Sequence, residues 1–502
     1  MKNFHVLIIL FFMVISVNTG AQNFTKQQML EDFDFLYEKL DSVNTRFPII
    51  KAVTGIDILS DIRKIRQKID VDTTICDSVF YDCLYRAMIA CKDMHISYVS
   101  GYPYKDYDEA YIQEAKKNTI AFSRSSVVSR YETSYNPFQV YYINGEYYAT
   151  SIYENDYTNT EIIPRKAKLL KVNDISFDEY VEKWMVPIIE NPRWDKKNKK
   201  YYVGTIISPQ RTGQSNEFRV TYSYNGKIKE VDIKSYKIKF ANSKGGYDPK
   251  VFYFEKDKIL YIRIPRMDSE RIENYKKALL KFKNKKINKV MIDVRGNGGG
   301  SDSFWLNLIE MIIEKSVPYP QTLAFRNNEL VIKYLNMNKI TYKDEEVKLN
   351  HLKIGDNEYF YTIEDSPTSI DPAENSLRYG GPIYVLIDDK IFSSTLAFTA
   401  VCQNADQLIT VGTPSGYFGG QGVMPLYFIL PNTKLLFRVE YSLDCTNVNG
   451  NNMIEYFHDE PEIPVELTLD DIFNIRDSAV ELYDEYFLYN IDPTFRKVLD
   501  LP

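Results

Sequence analysis

The stretch KVMIDVRGNGGGSDSFWLNLIEMIIEK, residues 289–315, decides the fold class of this chain. Its first six residues form a nearly continuous apolar run, which is typical of a strand in a sheet covered on both faces. Three consecutive glycines follow, and they permit positive φ angles and a close approach to the backbone. Residues 301–315 predict a helix. The stretch therefore predicts a strand–turn–helix unit of an α/β domain.

The neighbouring sequence repeats this alternation of strand and helix. Residues 258–264 predict a strand and residues 269–283 an amphipathic helix. Residues 382–388 predict a second buried strand, which a helical segment at 392–405 follows. From residue 250 to 502 we therefore expect an α/β core of the kind that carries catalytic sites.

The chain before residue 250 divides into two parts. Helical patterns at 29–40, 56–69 and 79–90 predict a helical region over residues 22–110. Residues 111–240 predict a β-rich domain, because the pairs Asn144-Gly145 and Asn225-Gly226 stand between β-rich runs, which is the strongest short hairpin signal. Between these hairpins, residues 167–184 predict a strand, a turn and a helix. The segment at 241–250 has the composition of a linker.

Composition excludes several classes of protein. Of 502 residues, 44% are hydrophobic and 26% charged, which is typical of a globular protein and not of a disordered or collagen-like chain. The 62 Lys+Arg and 68 Asp+Glu give a net charge of −6, so no overall electrostatic attraction to nucleic acid is expected. The length predicts two to four domains, at about 100–200 residues each.

The first residues predict a secreted protein. Lys2 precedes a mostly apolar run at 6–17, and the small residues at 19–21 come next. This order is typical of a secretory signal peptide, residues 1–21, and the run is too short to span a bilayer, which needs about 20 residues. No later stretch predicts a membrane span. We expect a soluble mature chain starting near Gln22, located in the periplasm or outside the cell.

The cysteines indicate neither a metal site nor a disulfide framework. There are five, at positions 76, 83, 91, 402 and 445, and no CxxC pair occurs. Histidine is scarce, since only His95, His351 and His458 remain after the signal peptide. His351 lies in a charged, loop-like stretch, and the acidic neighbours of His458 predict a solvated side chain. No cofactor or metal is predicted.

Two predicted strand ends carry residues suited to chemistry. The turn RGNGGGS, residues 295–301, is followed by no GK[ST] and lacks GxGxxG spacing, but its N–H groups could face an anion. Ser393 and Ser394 fall where the next buried strand stops and a helix begins. A serine there is suited to act as a nucleophile beside amides that hold an oxyanion. The alternatives are a tight turn for the glycines and a helix N-cap for the serine.

Taken together, these segments resemble the C-terminal-processing (tail-specific) serine peptidase family, in its branch related to the tricorn core protease. IDVRGNGGG at 292–300 resembles the family's DLRGNGGG, and IFSSTLAF at 391–398 resembles TFSSA…FA. CKDMHISYVS at 91–100 resembles the DGHT segment, and residues 455–471 resemble its acidic tail. AKLLKVNDISFDEYV at 167–181 is similar to the core of a PDZ-like insert.

The resemblance implies a multidomain α/β protein: an N-terminal helical region, a PDZ-like insert and a ClpP/crotonase-like core. It implies Ser393 as nucleophile, His95 as base and Glu455 as supporting carboxylate, with an oxyanion hole from Ser394 and from Gly299 or Gly298. Family members with a Ser-Lys dyad carry their lysine in a segment that reads YFGGQG here, residues 417–422. The dyad is therefore not favoured, and Lys390 is the nearest lysine to the nucleophile in sequence.

The expected function is that of a secreted serine peptidase, which forms an acyl-enzyme on protein or peptide substrates. A serine hydroxyl needs a base to attack a carbonyl at neutral pH, and a histidine oriented by a carboxylate is the usual base. The alternatives are a catalytically inactive protein of the same fold that binds peptides or other ligands, and an esterase that uses the same serine and histidine.

Overall fold

A computed structural model describes most of the chain. The described residues are 24–128, 135–136, 138–150, 152–153, 161–189, 192–203, 206–207, 217–234, 236–237, 250–319, 321–337, 350–354, 358–365, 369–417, 425–444, 460–477 and 482–501. The predicted signal peptide, Glu455 and His458 lie outside them.

The N-terminal part is helical, as the sequence predicts. Its elements are α1 (Lys26–Val43), α2 (Arg46–Thr54), α3 (Ile58–Val71), α4 (Asp77–Ala90), the short strand β1 (Ser97–Tyr98) and α5 (Glu109–Ser123). Side chains cap three of the helices: Thr25 forms a capping box with Gln28, while Asp57 and Asp108 accept N–H groups of the first turns of α3 and α5. Helix α5 crosses the expected boundary at residue 110.

An antiparallel sheet dominates the next part, which we call the insert. Its strands are β2 (Tyr135–Asn136), β3 (Phe138–Ile143), β4 (Glu146–Ala149), β5 (Ile152–Tyr153), β6 (Glu161–Ile163), β7 (Lys168–Val172), β8 (Ile175–Ser176), β9 (Arg193–Asp195), β10 (Lys200–Tyr202), β11 (Ile206–Ile207), β12 (Glu217–Tyr224), β13 (Lys227–Lys234) and β14 (Tyr236–Lys237). The main sheet has the order β11-β3-β4-β7-β12-β13, with β8 paired to β7.

Both predicted Asn-Gly hairpins are present in the insert. Asn144 and Gly145 join β3 to β4 with φ values of 50° and 87°, and Asn225 and Gly226 join β12 to β13 with 50° and 73°. Two successive positive φ angles are what a type I′ turn requires. After β8 comes helix α6 (Phe177–Tyr180), then a π-helical turn (Val181–Met185) and a 3₁₀ turn (Val186–Ile188).

The C-terminal half is built on a mostly parallel sheet. Its strands are β15 (Lys250–Phe254), β16 (Ile259–Arg263), β17 (Lys289–Asp293), β23 (Ile383–Ile387), β24 (Leu408–Gly412) and β28 (Ile463–Pro464), hydrogen-bonded in that order, and only β15 is antiparallel. Helices α7 (Ile272–Leu280, after a 3₁₀ turn at Ser269–Arg271), α8 (Asp302–Glu310) and α10 (Ser394–Cys402) cover one face. Helices α12 (Glu485–Asn490) and α13 (Pro493–Leu499) cover the other.

Burial on both faces explains the apolar runs of the central strands. In β17, Val290 and Ile292 pack under α8 and α10, whereas Met291 packs toward α12 and α13. Strands β17 and β23 are parallel neighbours in register, with Asp293 opposite Leu386. The turns that follow these two strands therefore leave the same edge of the sheet side by side.

Smaller elements complete the described part of this half. They are β18 (Val317–Pro318), β19 (Gln321–Arg326), α9 (Glu329–Met337), β20 (Asn350–Ile354), β21 (Glu358–Asp365), β22 (Ser369–Ile370), β25 (Pro425–Ile429), β26 (Leu436–Glu440), β27 (Ser442–Asp444) and α11 (Leu469–Asp477). His351 lies on strand β20 and not in a loop, so that expectation was wrong: backbone pairing with β21, where His351 stands opposite Tyr361, makes this stretch a strand.

The helical region is joined to the C-terminal half by a shared sheet and a buried carboxylate. Strand β1 pairs with β26, and β26 pairs with β25. Asp32 of α1 accepts hydrogen bonds from the backbone N–H groups of Asn432 (2.7 Å) and Thr433 (2.8 Å), which form the turn between β25 and β26. These contacts fix the chain around His95 to strands β25 and β26 of the C-terminal half.

In the part of the chain that the structure covers, no helix is both long and apolar enough to cross a bilayer. Within the same residues, no cluster of three or more His, Cys, Asp or Glu side chains could hold a metal ion. Four cysteines are free thiols: Cys76 is exposed, and Cys83, Cys91 and Cys402 are buried. Cys445 lies outside the described residues.

Candidate active site

Ser393 occupies a strained position at the end of the turn after β23. It is the residue that precedes α10, and its backbone has φ 56° and ψ −127°, a conformation that non-glycine residues rarely adopt. Its side chain makes no capping hydrogen bond to the helix. The N-cap alternative therefore does not describe what this hydroxyl does.

The hydroxyl of Ser393 contacts His95 instead. The distance from His95 Nε2 to Ser393 Oγ is 3.0 Å, although 298 positions separate the two residues in sequence. The ring of Phe392 stacks on the imidazole, with 4.8 Å between ring centroids and 16° between planes. The two residues that the sequence singled out as nucleophile and base are thus brought together by the fold.

A buried carboxylate holds the other side of the imidazole. Asp93 Oδ1 lies 3.1 Å from His95 Nδ1 and accepts the backbone N–H of His95 at 2.9 Å. Its second oxygen accepts a hydrogen bond from Arg46, which is itself buried. Burial alone would raise the pKa of Asp93, but the Arg46 guanidinium and the contacts from His95 outweigh it and hold this pKa well below its usual range. The carboxylate is therefore ionised at neutral pH.

Sequence reasoning missed Asp93 as the partner of His95. The signal was the Asp-x-His spacing within CKDMHISYVS, but two residues of separation do not by themselves bring a carboxylate onto a ring nitrogen. The turn between α4 and β1 does so, because Ile96 N–H closes it onto Asp93 O at 3.0 Å. Glu455, the carboxylate chosen from the resemblance, is outside the described residues, so its role stays a prediction.

The glycine-rich turn lies against the strained serine. A Cβ added to Gly299, which has φ 95°, would stand 2.7 Å from Ser393 Cβ and 2.7 Å from the Phe392 carbonyl oxygen. Asn297 also binds this region, because its backbone carbonyl accepts the Phe392 N–H at 3.1 Å. Position 299 therefore requires glycine, because a side chain there would clash with Phe392 and Ser393 and would be strained at this φ angle.

The predicted oxyanion donors differ in availability. The N–H of Gly299 already donates to Asn297 Oδ1 at 2.8 Å. Among the described residues, the N–H groups of Gly298 and Ser394 have no acceptor. Gly298 and Ser394 are therefore better placed than Gly299 to donate to a substrate oxygen.

Asp388 links the two turns beneath the site. Its Oδ1 accepts the N–H of Gly296 at 2.8 Å and of Lys390 at 3.1 Å. Lys390, considered as an alternative base, is not activated: burial lowers its pKa, but the carboxylates of Asp389 and Asp388 outweigh this and leave the pKa above the ordinary value. A lysine base requires a lowered pKa.

The geometry defines a serine hydrolase type of site, with a hydroxyl, an imidazole, a buried carboxylate and free N–H groups at the carboxyl edge of a parallel sheet. Residues 258–456 match the model of peptidase family S41. This match confirms the resemblance to C-terminal-processing peptidases that the sequence shows, and the chain is a serine-type peptidase.

The solved structure of mature CPAF has a similar fold. It is 16% identical, with a TM-score of 0.57 over 89% of this chain and 94% of that chain. The photosystem II D1 C-terminal processing protease is 11% identical, with a TM-score of 0.38 over 88% of this chain and 94% of that chain. A putative peptidase from Parabacteroides merdae is 16% identical, with a TM-score of 0.42 over 88% and 91%. No curated protein matches the sequence.

We predict that Gly299→Ala lowers kcat roughly 10- to 100-fold, because its Cβ must displace the backbone around Ser393 and misplacements of about 1 Å have costs of this order. The control is Gly226→Ala, which also has a positive φ (73°) but nothing within 4 Å of the added Cβ. Steady-state peptide hydrolysis by both variants is the measurement. Equal kcat values for the two would contradict the prediction.

Proposed function

We propose that the chain hydrolyses peptide bonds through an acyl-enzyme formed on Ser393. The observation that carries the proposal is the 3.0 Å contact between His95 Nε2 and Ser393 Oγ, with Asp93 on the opposite ring nitrogen. In the first step, Ser393 Oγ attacks the scissile carbonyl carbon while His95 takes its proton. His95 then gives that proton to the leaving amine as the C–N bond breaks.

The second half of the reaction releases the acyl group. A water molecule attacks the ester carbonyl, His95 accepts one of its protons, and the Ser393 oxygen leaves with a proton from His95. The negative oxygen of each tetrahedral intermediate would accept hydrogen bonds from the N–H groups of Ser394 and Gly298. The free state of these two N–H groups supports that assignment, with Gly299 shaping the turn and not donating.

We assign the orienting carboxylate to Asp93. A carboxylate on Nδ1 fixes the tautomer in which Nε2 can accept the serine proton, and it stabilises the imidazolium that results. The Arg46 contact supports this role, because it keeps the Asp93 pKa low and the carboxylate charged inside the protein. Glu455 remains a candidate for a supporting role at the same site.

The substrates of the proposed enzyme are proteins or peptides outside the cytoplasm. The signal-peptide pattern at 1–21 supports export, and N-terminal sequencing of the exported chain is expected to find a start near Gln22. The insert supports peptide recognition, since PDZ-like domains add an extended peptide to a sheet edge and hold its terminal carboxylate. A PDZ-like role for the insert is part of this proposal.

Replacing the proposed nucleophile, Ser393, tests whether the protein is an enzyme or an inactive binding protein. Ser393→Ala is expected to abolish cleavage of a peptide library and labelling by a serine-reactive phosphonate, because no other hydroxyl contacts His95 in the described structure. Ser394→Ala is the matched control and keeps both, because it removes only the side-chain hydroxyl and leaves the backbone N–H that is the proposed oxyanion donor. Mass spectrometry of the digests gives the readout. A folded wild-type protein that never labels would favour the inactive alternative, and turnover of esters alone would favour an esterase.

Variants of the two candidate carboxylates, Asp93 and Glu455, are expected to differ in kcat. Asp93→Asn is expected to lower kcat on the order of 10⁴-fold, because an amide at this position favours the wrong imidazole tautomer. Glu455→Gln is expected to have a smaller effect if it only supports the site. Circular dichroism confirms folding of both variants before kcat is measured. A larger loss in Glu455→Gln than in Asp93→Asn would reverse the assignment.

The proposed binding of a substrate's C-terminal carboxylate by the insert leads to a separate prediction. Amidating the C-terminus of a good peptide substrate removes the carboxylate that backbone N–H groups would hold. We expect kcat/KM to fall at least about tenfold, with the same peptide in its free-acid form as control. An unchanged kcat/KM would mean that the insert reads internal sequence or acts as a spacer.

A further inference from the structure

Lys92 stands in the turn that carries His95 and has an unusual backbone. Its φ is 54°, and its N–H donates to the carbonyl of Ile89 at 3.2 Å just after the end of α4. This left-handed position after a helix usually belongs to glycine, because a side chain there costs about 1–2 kcal/mol. The backbone conformation by itself therefore does not favour a lysine at this position.

The side chain of Lys92 runs into the insert and is buried with it. Its residue is 8% exposed, and its Nζ donates to the carbonyl oxygens of Val186 and of Ile189, the latter at 3.1 Å. The Val186 carbonyl also accepts the Ile189 N–H at 3.4 Å, which closes the 3₁₀ turn Val186–Ile188 at the end of the insert's helical segment, and Ile189 directly follows that turn. An ammonium group suits this place, because carbonyls at the end of a helical segment carry partial negative charge.

Two arginines from other parts of the fold also form hydrogen bonds to the turn that carries His95. Arg46 of α2 binds Asp93, and Arg438 of β26 donates to the Met94 carbonyl at 3.3 Å and to Ser97 Oγ at 3.2 Å. The residues on either side of His95 are thus held by the helical region and by the sheet of β26. Lys92 adds a tether to the insert, one residue before Asp93.

We infer that Lys92 is a positioning residue, which uses the carbonyl end of the insert's helical segment to fix the His95 turn at the distance from Ser393 that proton transfer requires. This inference rests on the proposed function of Ser393 and His95. On this assignment the insert helps to complete the active site, because two of its backbone carbonyls hold the turn that presents the base.

Lys92→Gly tests the side chain apart from the backbone. Glycine relieves the left-handed strain, so a lysine with only a backbone role would leave kcat unchanged and stability equal or higher. A positioning role predicts that kcat falls roughly 10- to 100-fold, with KM changed much less, since small misplacements of the base slow chemistry and not binding. Lys92→Met, which keeps the apolar stem and removes the donors, is expected to show the same loss.

Lys258→Gly is the matched control. Lys258 also has a positive φ (57°) but lies in the turn between β15 and β16, away from the site, and its replacement is expected to leave kcat unchanged. The folded fraction of each variant is measured by thermal unfolding, and kcat is expressed per folded molecule. Ser393→Ala in the same assay confirms that the measured turnover belongs to the proposed site.

The results of these measurements decide whether the Lys92 side chain positions His95 or has only a structural role. Loss of kcat per folded molecule in both Lys92 variants, with Lys258→Gly active, supports the inference. Wild-type kcat per folded molecule in either Lys92 variant overturns it, even if that variant is less stable, and leaves the proposed function intact. Turnover that persists in Ser393→Ala would instead overturn the proposed function.

Discussion

The buried ion pair between Arg46 and Asp93 is the interaction on which the site depends. A carboxylate removed from water is costly unless an opposite charge and hydrogen bonds compensate it. Arg46 supplies the charge, while the backbone N–H and the imidazole of His95 supply further contacts. Because Asp93 stays ionised, it can hold His95 with Nε2 directed to Ser393. A neutral acid at this position would not stabilise an imidazolium.

The contact between Ser393 and His95 is assembled from two halves of the chain, so its geometry depends on how these halves dock. His95 follows α4 of the helical region, and Ser393 precedes α10 of the parallel-sheet core. The pairing of β1 with β26 and the buried Asp32 contacts to the turn before β26 fix one half on the other. Rigid docking of this kind gives proximity without an entropic cost at each turnover.

Local patterns predicted most of the secondary structure and much of the site. The apolar runs of β17 and β23 and both Asn-Gly hairpins were recognisable, because their causes are short-range in sequence. Ser393 and His95 were found through segments whose order resembles a known family. The contacts that were missed are long-range: Arg46 reaches Asp93 from α2, and Lys92 reaches Val186 in the insert. No spacing rule indicates such pairs, since they depend on how separate elements pack.

Each of the three segments that meet at the site contributes a residue with a positive φ angle. Lys92, Ser393 and Gly299 all have positive φ values, 54°, 56° and 95°, and each belongs to a different segment. The strain at the two non-glycine residues persists because tertiary contacts hold them: Lys92 through the insert carbonyls, and Ser393 through the turn around Asn297 and Asp388. A relaxed turn at either place would leave the serine or the histidine pointing elsewhere. The strained conformations are thus a direct consequence of bringing a hydroxyl, an imidazole and free N–H groups to one point.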